Sequence, residues 1–187
     1  MTIPMKVHTP KKLAVFSTLI ALIAAGTAAH ADTPIQLSLT PQIALYPSTT
    51  TVRGFALDIW GENPQVSLNL GFVNGSTGDS GGLSVGLVNY AESYTGLQWG
   101  AVNISTENFV GWQNGWINVS MGTFKGFQWG AVNYAEDVTG FQLGFINYAE
   151  KLNGLQIGAI NVAMSNPWFD EFPDKLATGF PFLNWSF

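Results

Sequence analysis

One short phrase recurs six times in this chain, with its first glycine at Gly82, Gly96, Gly111, Gly126, Gly140 and Gly154, at steps of 14, 15, 15, 14 and 14 residues. The copies read GLSVGLVN, GLQWGAVN, GWQNGWIN, GFQWGAVN, GFQLGFIN and GLQIGAIN. A period this regular marks a repeated structural unit, not a repeated active site. Within a copy, apolar and polar residues alternate. Phe127, Trp129 and Ala131 share one face, while Gln128, Gly130, Val132 and Tyr134 share the other. Period two in a sequence rich in β-branched and aromatic residues predicts strands. The polar patches after each Asn (AESYT, STENFV, AEDVT, AEKLN) read as turns.

The same alternation extends outside the repeats. Ile35/Leu37/Leu39, Phe55/Leu57/Ile59 and Val66/Leu68/Leu70/Phe72 define three earlier strands, and Leu183/Trp185/Phe187 a last one. Three, six and one make ten strands of about ten residues, the length and even number expected of a membrane barrel. The expected fold is therefore all-β: an antiparallel up-and-down transmembrane β-barrel of about 10 strands, with any longer insertions (Gly75 to Gly81, Ala163 to Ala177) on its outer side. The alternative is a β-solenoid of 14–15-residue repeats, in which each copy is one coil and Asn89, Asn103, Asn118, Asn133, Asn147 and Asn161 stack as a ladder.

Residues 1–31 carry the marks of a signal peptide. Lys6, Lys11 and Lys12 precede an apolar run from Leu13 to Ala25, and Ala29-His30-Ala31 supplies an A-x-A cleavage site. The domain expected to remain is 32–187, with the six repeats spanning 82–163. It contains no Cys and no His, because both histidines lie before residue 32. Disulfides, thiolate metal sites and the usual general base are thereby excluded. Arg53, Lys125, Lys151 and Lys175 stand against twelve acids, a net charge of −8 that argues against nucleic acid as a partner. No catalytic, cofactor-binding or metal site is expected.

The alternating Leu183-x-Trp185-x-Phe187 ending resembles the C-terminal strand of bacterial outer-membrane β-barrel proteins. That resemblance implies an outer-membrane location, contact with lipid and lipopolysaccharide, and recognition of Leu183, Trp185 and Phe187 by the barrel assembly machinery. The unit G-[LFV]-Q-x-G-x-[IV]-N also resembles an uncharacterised family of bacterial surface-repeat proteins, which implies an envelope location and no activity.

On the barrel reading, Gln98, Gln113, Gln128, Gln142 and Gln156 face the lumen, and Gly100, Gly115, Gly130, Gly144 and Gly158 make room for their neighbours. Trp99, Trp112, Trp116, Trp129, Phe127, Phe141 and Phe145 face lipid; carbohydrate stacking is the rival use for such rings. Trp168, Phe169, Asp170, Glu171 and Phe172 form the one loop with enough apolar surface to suggest contact with a surface partner. Asp79, Glu107, Glu136, Asp137, Asp170, Glu171 and Asp174 map to connections, where divalent cations bridging to lipopolysaccharide are a possible use. The expected function is structural or surface-interacting, without catalysis. A narrow channel for small uncharged solutes and a secreted soluble β-solenoid are the alternatives.

Overall fold

The computed structural model describes residues 32–187, so the expected signal peptide lies outside the described residues. The described chain is mostly strand, with no helix, in the order β1 (Thr33–Thr40), β2 (Ile43–Ala44), β3 (Val52–Asn63), β4 (Val66–Val85), β5 (Val88–Trp99), β6 (Val102–Ser105), β7 (Phe109–Asn114), β8 (Ile117–Ala163) and β9 (Gly179–Ser186). The all-β expectation holds, but the barrel is corrected to the alternative, a parallel β-solenoid. β1 pairs β3, β3 pairs β4, β4 pairs β5, β5 pairs β6 and β7, and both of these pair β8, every time in parallel. The strands therefore do not run up and down; the chain winds round one axis, and β8 alone makes more than three coils.

Identical positions stack on one another. Gly82 lies beside Gly96, Gly96 beside Gly111 and Gly111 beside Gly126, while Asn74, Asn89, Asn103 and Asn118 form a second in-register column. Neighbouring rungs are thus about 4.8 Å apart.

The corners explain how so short a repeat can close. The first glycine of every copy has φ between 113° and 146°, a region that L side chains rarely adopt. A Cβ on Gly126 would also run into the backbone of Gly111 in the coil before. The second glycine (Gly100, Gly115, Gly130, Gly144, Gly158) makes another corner, where a Cβ would meet an Asn side chain and main chain of the preceding coil. These glycines are corners against the ladder rather than spacers in a lumen. The segments expected to be turns are mostly extended as well: AESYT lies within β5, and AEDVT and AEKLN within β8.

Inside the coils, one side is apolar and the other is amide. Tyr94, Phe109 and Phe124 stack with centroids 5.9 and 5.5 Å apart, and Val138 and Leu152 continue the column beside Ala91, Ala135, Ala149 and Ala163. Each such ring pair contributes about 0.5–1.5 kcal/mol beyond area burial.

Both ends are closed against further strand addition. At the N-terminal end β2 folds back antiparallel on β1, and Gln36 is held by Tyr46 through both amide atoms. At the C-terminal end β9 crosses the last coil antiparallel, with Ile157 opposite Leu183 and Gln156 opposite Asn184. Pro181 and the left-handed Phe182 (φ 68°) interrupt that last strand as a template.

Candidate functional site

The inward polar side chains are chiefly the five glutamines and the asparagine column, opposite the apolar column. Gln98, Gln113, Gln128, Gln142 and Gln156 are buried, and from Gln113 onward each donates through Nε2 to Oε1 of the glutamine one coil earlier, at 3.1, 2.9, 2.8 and 2.8 Å. They pack against one another and line no opening. The asparagines run the other way. Nδ2 of Asn74, Asn89, Asn103, Asn118, Asn133 and Asn147 each donates to Oδ1 of the next, at 2.8 Å in every case. A buried amide needs its own kind above and below to satisfy both its atoms, and in-register stacking supplies that. These ladders hold the solid interior; any interaction with another molecule falls to the outer surface.

Two outer faces meet at the second-glycine corner. The first carries the residues one and three places after each repeat glycine: Leu97/Trp99, Trp112/Asn114, Phe127/Trp129 and their equivalents. The second carries those five and six places after it: Ala101/Val102, Trp116/Ile117, Phe145/Ile146 and their equivalents. None of these positions in the six repeats is charged, and Asn114 alone is polar. None is buried. The charges of the repeats, Glu92, Glu107, Lys125, Glu136, Asp137, Glu150 and Lys151, all fall on the remaining side, where Tyr134 stacks on Tyr148 at 5.2 Å. The solenoid is amphipathic along its length.

A groove of about 650 Å³ follows the seam, floored by Gly86, Gly100, Gly115 and Gly130. Trp99 and Trp129 stand on one wall, two coils apart with Asn114 between them; Trp116 stands on the opposite wall between Ala101 and Ala131. The rings therefore alternate from wall to wall, with Trp116 76 % exposed. Of the aromatic residues expected to face lipid, all but Phe127, which is half-buried, are exposed on these two faces.

The C-terminal loop candidates form a separate patch on the capped end. Trp168, Phe169 and Phe172 are exposed, with the Phe169 ring edge-on to Phe180 at 6.0 Å. Asp170 and Glu171 are exposed beside them, and Glu171 pairs with Lys175 at 2.6 Å. Leu183 and Phe187 are exposed, whereas Trp185 is half-buried and donates through Nε1 to Pro173 O at 2.8 Å, tying β9 to this loop. Among the described residues no three His, Cys, Asp or Glu converge as a metal site would require, so the acidic connections are not gathered into one.

The groove escaped sequence reasoning, although its signal was present. Aligning the repeats by their first glycine puts Trp99/Asn114/Trp129 in one column and Ala101/Trp116/Ala131 in another, an alternation that acquires meaning once the columns are known to be adjacent in space.

Three tyrosines are harder to ionise than usual, Tyr134 through desolvation and the neighbouring Glu150 and Glu136 carboxylates. Burial, reinforced by the hydrogen bond from its hydroxyl to Glu62 Oε2 at 2.6 Å, pushes Tyr90 up to about 12. Burial alone raises Tyr94 further.

No family model, no curated protein and no solved structure matches the chain.

Proposed function

We propose that this chain is an exported, non-catalytic envelope protein that lies on a lipid surface through the two apolar faces of its solenoid. The carrying observation is the segregation of charge: two adjoining faces bear no charged residue over six repeats, and the third side bears them all. A continuous exposed apolar surface of this kind marks an interaction site. Tryptophans with their polar edges free suit the boundary between water and lipid. The protein lies on the surface rather than spanning it, since its interior is filled by paired amides. The signal-like residues 1–31 support export, and the absence of His and Cys after residue 31 supports a binding role over catalysis.

Attraction in this arrangement is apolar, because the protein's net charge is negative and anionic lipids offer it nothing. The full chain should therefore float with vesicles of zwitterionic lipid, and raising the salt should not release it. Trp116→Ser combined with Phe145→Ser should abolish flotation, while Tyr134→Ser on the charged side should not. Protein remaining in the aqueous layer, or released by salt, would refute the reading.

A second reading rests on the groove. Alternating Trp99, Trp116 and Trp129 with Asn114 between two of them also suits an extended uncharged polysaccharide stacked on successive rings. Quenching or blue-shift of tryptophan fluorescence by soluble glycans, without vesicle binding, would favour it.

A further inference from the structure

The N-terminal end of the asparagine ladder is built from a swap. In every later coil the second-glycine column holds Gly and the ladder column holds Asn three residues on, as in Gly71 and Asn74. The coil before reverses them: Asp58 stands beside Gly71, and Gly61 stands beside Asn74. Gly61 has no side chain to begin the ladder, and the Asp58 carboxyl fills the place, since a Cβ on Gly61 would run into it.

Asn74 is oriented by its donors. Its Nδ2 reaches forward to Asn89 Oδ1 at 2.8 Å and to Val85 O at 2.9 Å, so Oδ1 is the atom turned back toward Asp58. That Oδ1 is buried without a partner, and so is Asp58 Oδ1. Other ladder ends leave orphans too, Gln98 Nε2 and Gln156 Oε1, but neither has a carboxyl set against it. Asn69, in the glutamine column of the same coil, makes no hydrogen bond through either amide atom, so it is not the missing donor.

Ser38, in register with Asp58 on the other side, offers its hydroxyl and backbone to the carboxyl but makes no hydrogen bond to Asn74 Oδ1, and a buried amide oxygen set against a carboxylate is costly unless the carboxyl carries a proton. We propose that Asp58 is held as the neutral acid and donates its proton to Asn74 Oδ1, forming the first rung of the ladder and making the N-terminal coils loosen when it ionises.

The surroundings support a neutral group. β1 and β2 bring no ionisable side chain; on β3, Glu62 is engaged by Tyr90 of β5, and Arg53 pairs with Asp32 at 2.5 Å. Tyr46, before β3, meets Gln36 through its backbone. From β4, Gly71 and Asn74 face Asp58, both uncharged, and Asp79 lies beside Ser93 in the next coil. Burial pushes the Asp58 carboxyl above its ordinary range; Ser38 is near enough through its hydroxyl and backbone to oppose this, although the hydroxyl makes no well-directed hydrogen bond. Because the folded-state value is raised, the stabilisation is complete below the ordinary carboxylate range and is lost as pH rises through the folded value.

The test compares thermal melts of the full chain and Asp58→Asn from pH 4 to pH 8, with the carboxyl ¹³C shift of Asp58 followed in the unmodified protein. An asparagine here donates without ionising. The unmodified protein should lose melting temperature over this range relative to Asp58→Asn, and the Asp58 shift should titrate above all other aspartates. Parallel pH profiles for the two proteins, an Asp58 shift titrating in the ordinary range, or a chelator-sensitive melt that points to a bound cation instead, would each overturn the proposal.

Discussion

Asn118→Ala tests the solenoid and its ladder in one measurement. Asn118 Oδ1 accepts from Asn103 Nδ2 at 2.8 Å, and its Nδ2 donates to Asn133 Oδ1 at 2.8 Å and to Trp129 O at 3.0 Å. Removing it deletes three hydrogen bonds of about 1 kcal/mol each. Two partners are left provided for: Asn103 Nδ2 keeps Asn114 O, and Trp129 O keeps the Gly115 backbone N–H. Asn133 Oδ1 loses its donor inside the protein, which adds part of a desolvation penalty of about 1–3 kcal/mol. With a small cavity included, the expected loss is on the order of 3–5 kcal/mol. Urea unfolding of the full chain measures it, and a lowered m-value would reveal end coils melting separately. Asn153→Ala, at an exposed position without side-chain hydrogen bonds, should stay within about 0.5 kcal/mol of the parent. In an antiparallel barrel Asn118 would sit at a strand–turn boundary and cost no more than that control. A loss below about 1 kcal/mol would therefore refute the ladder.

Gly126→Ala, at φ 138° and against the Gly111 backbone, should cost more than the 1–3 kcal/mol typical of backbone strain alone, read as loss of folded protein by circular dichroism. In alkaline titration Tyr90 should stay un-ionised until near pH 12 and Tyr94 beyond it. Both values are raised, so the associated stability is present below pH 10 and drains away above it; tyrosinate absorbance appearing for all five tyrosines near pH 10 in folded protein would contradict this.

Alternation made the strands and the repeat boundaries legible, and the facing up to the second glycine: Gln128 does point in and Trp129 out, whereas Val132 and Tyr134, expected on the inward face with Gln128, lie on the outside because Gly130 turns the chain. Pairing direction was not legible, because i, i+2 alternation is identical in parallel and antiparallel strands. The even strand count, the connection lengths and the Leu183-x-Trp185-x-Phe187 ending each suited a barrel, and none of them depends on what lies beside a given residue. The asparagine column did carry that information. An antiparallel neighbour runs backwards and brings Asn118 against some other residue of the next copy, whereas a coil brings it against Asn103 and Asn133, which a buried amide requires.

The candidate surface divides the same way. Counting in twos from each repeat glycine gives the first outward face, but the second carries consecutive residues such as Trp116 and Ile117, because the corner at Gly115 resets the alternation. That Trp99, Trp116 and Trp129 form the walls of one groove, and that the Asp58 carboxyl occupies the place left by Gly61, follow only from stacking coils in register. The sequence by itself determined the all-β class, the repeat period and the facing within each straight run, since these are local consequences of backbone geometry. The tertiary structure decided direction and neighbours, since positive-φ glycine corners turn each copy onto the next and the paired amides hold it there.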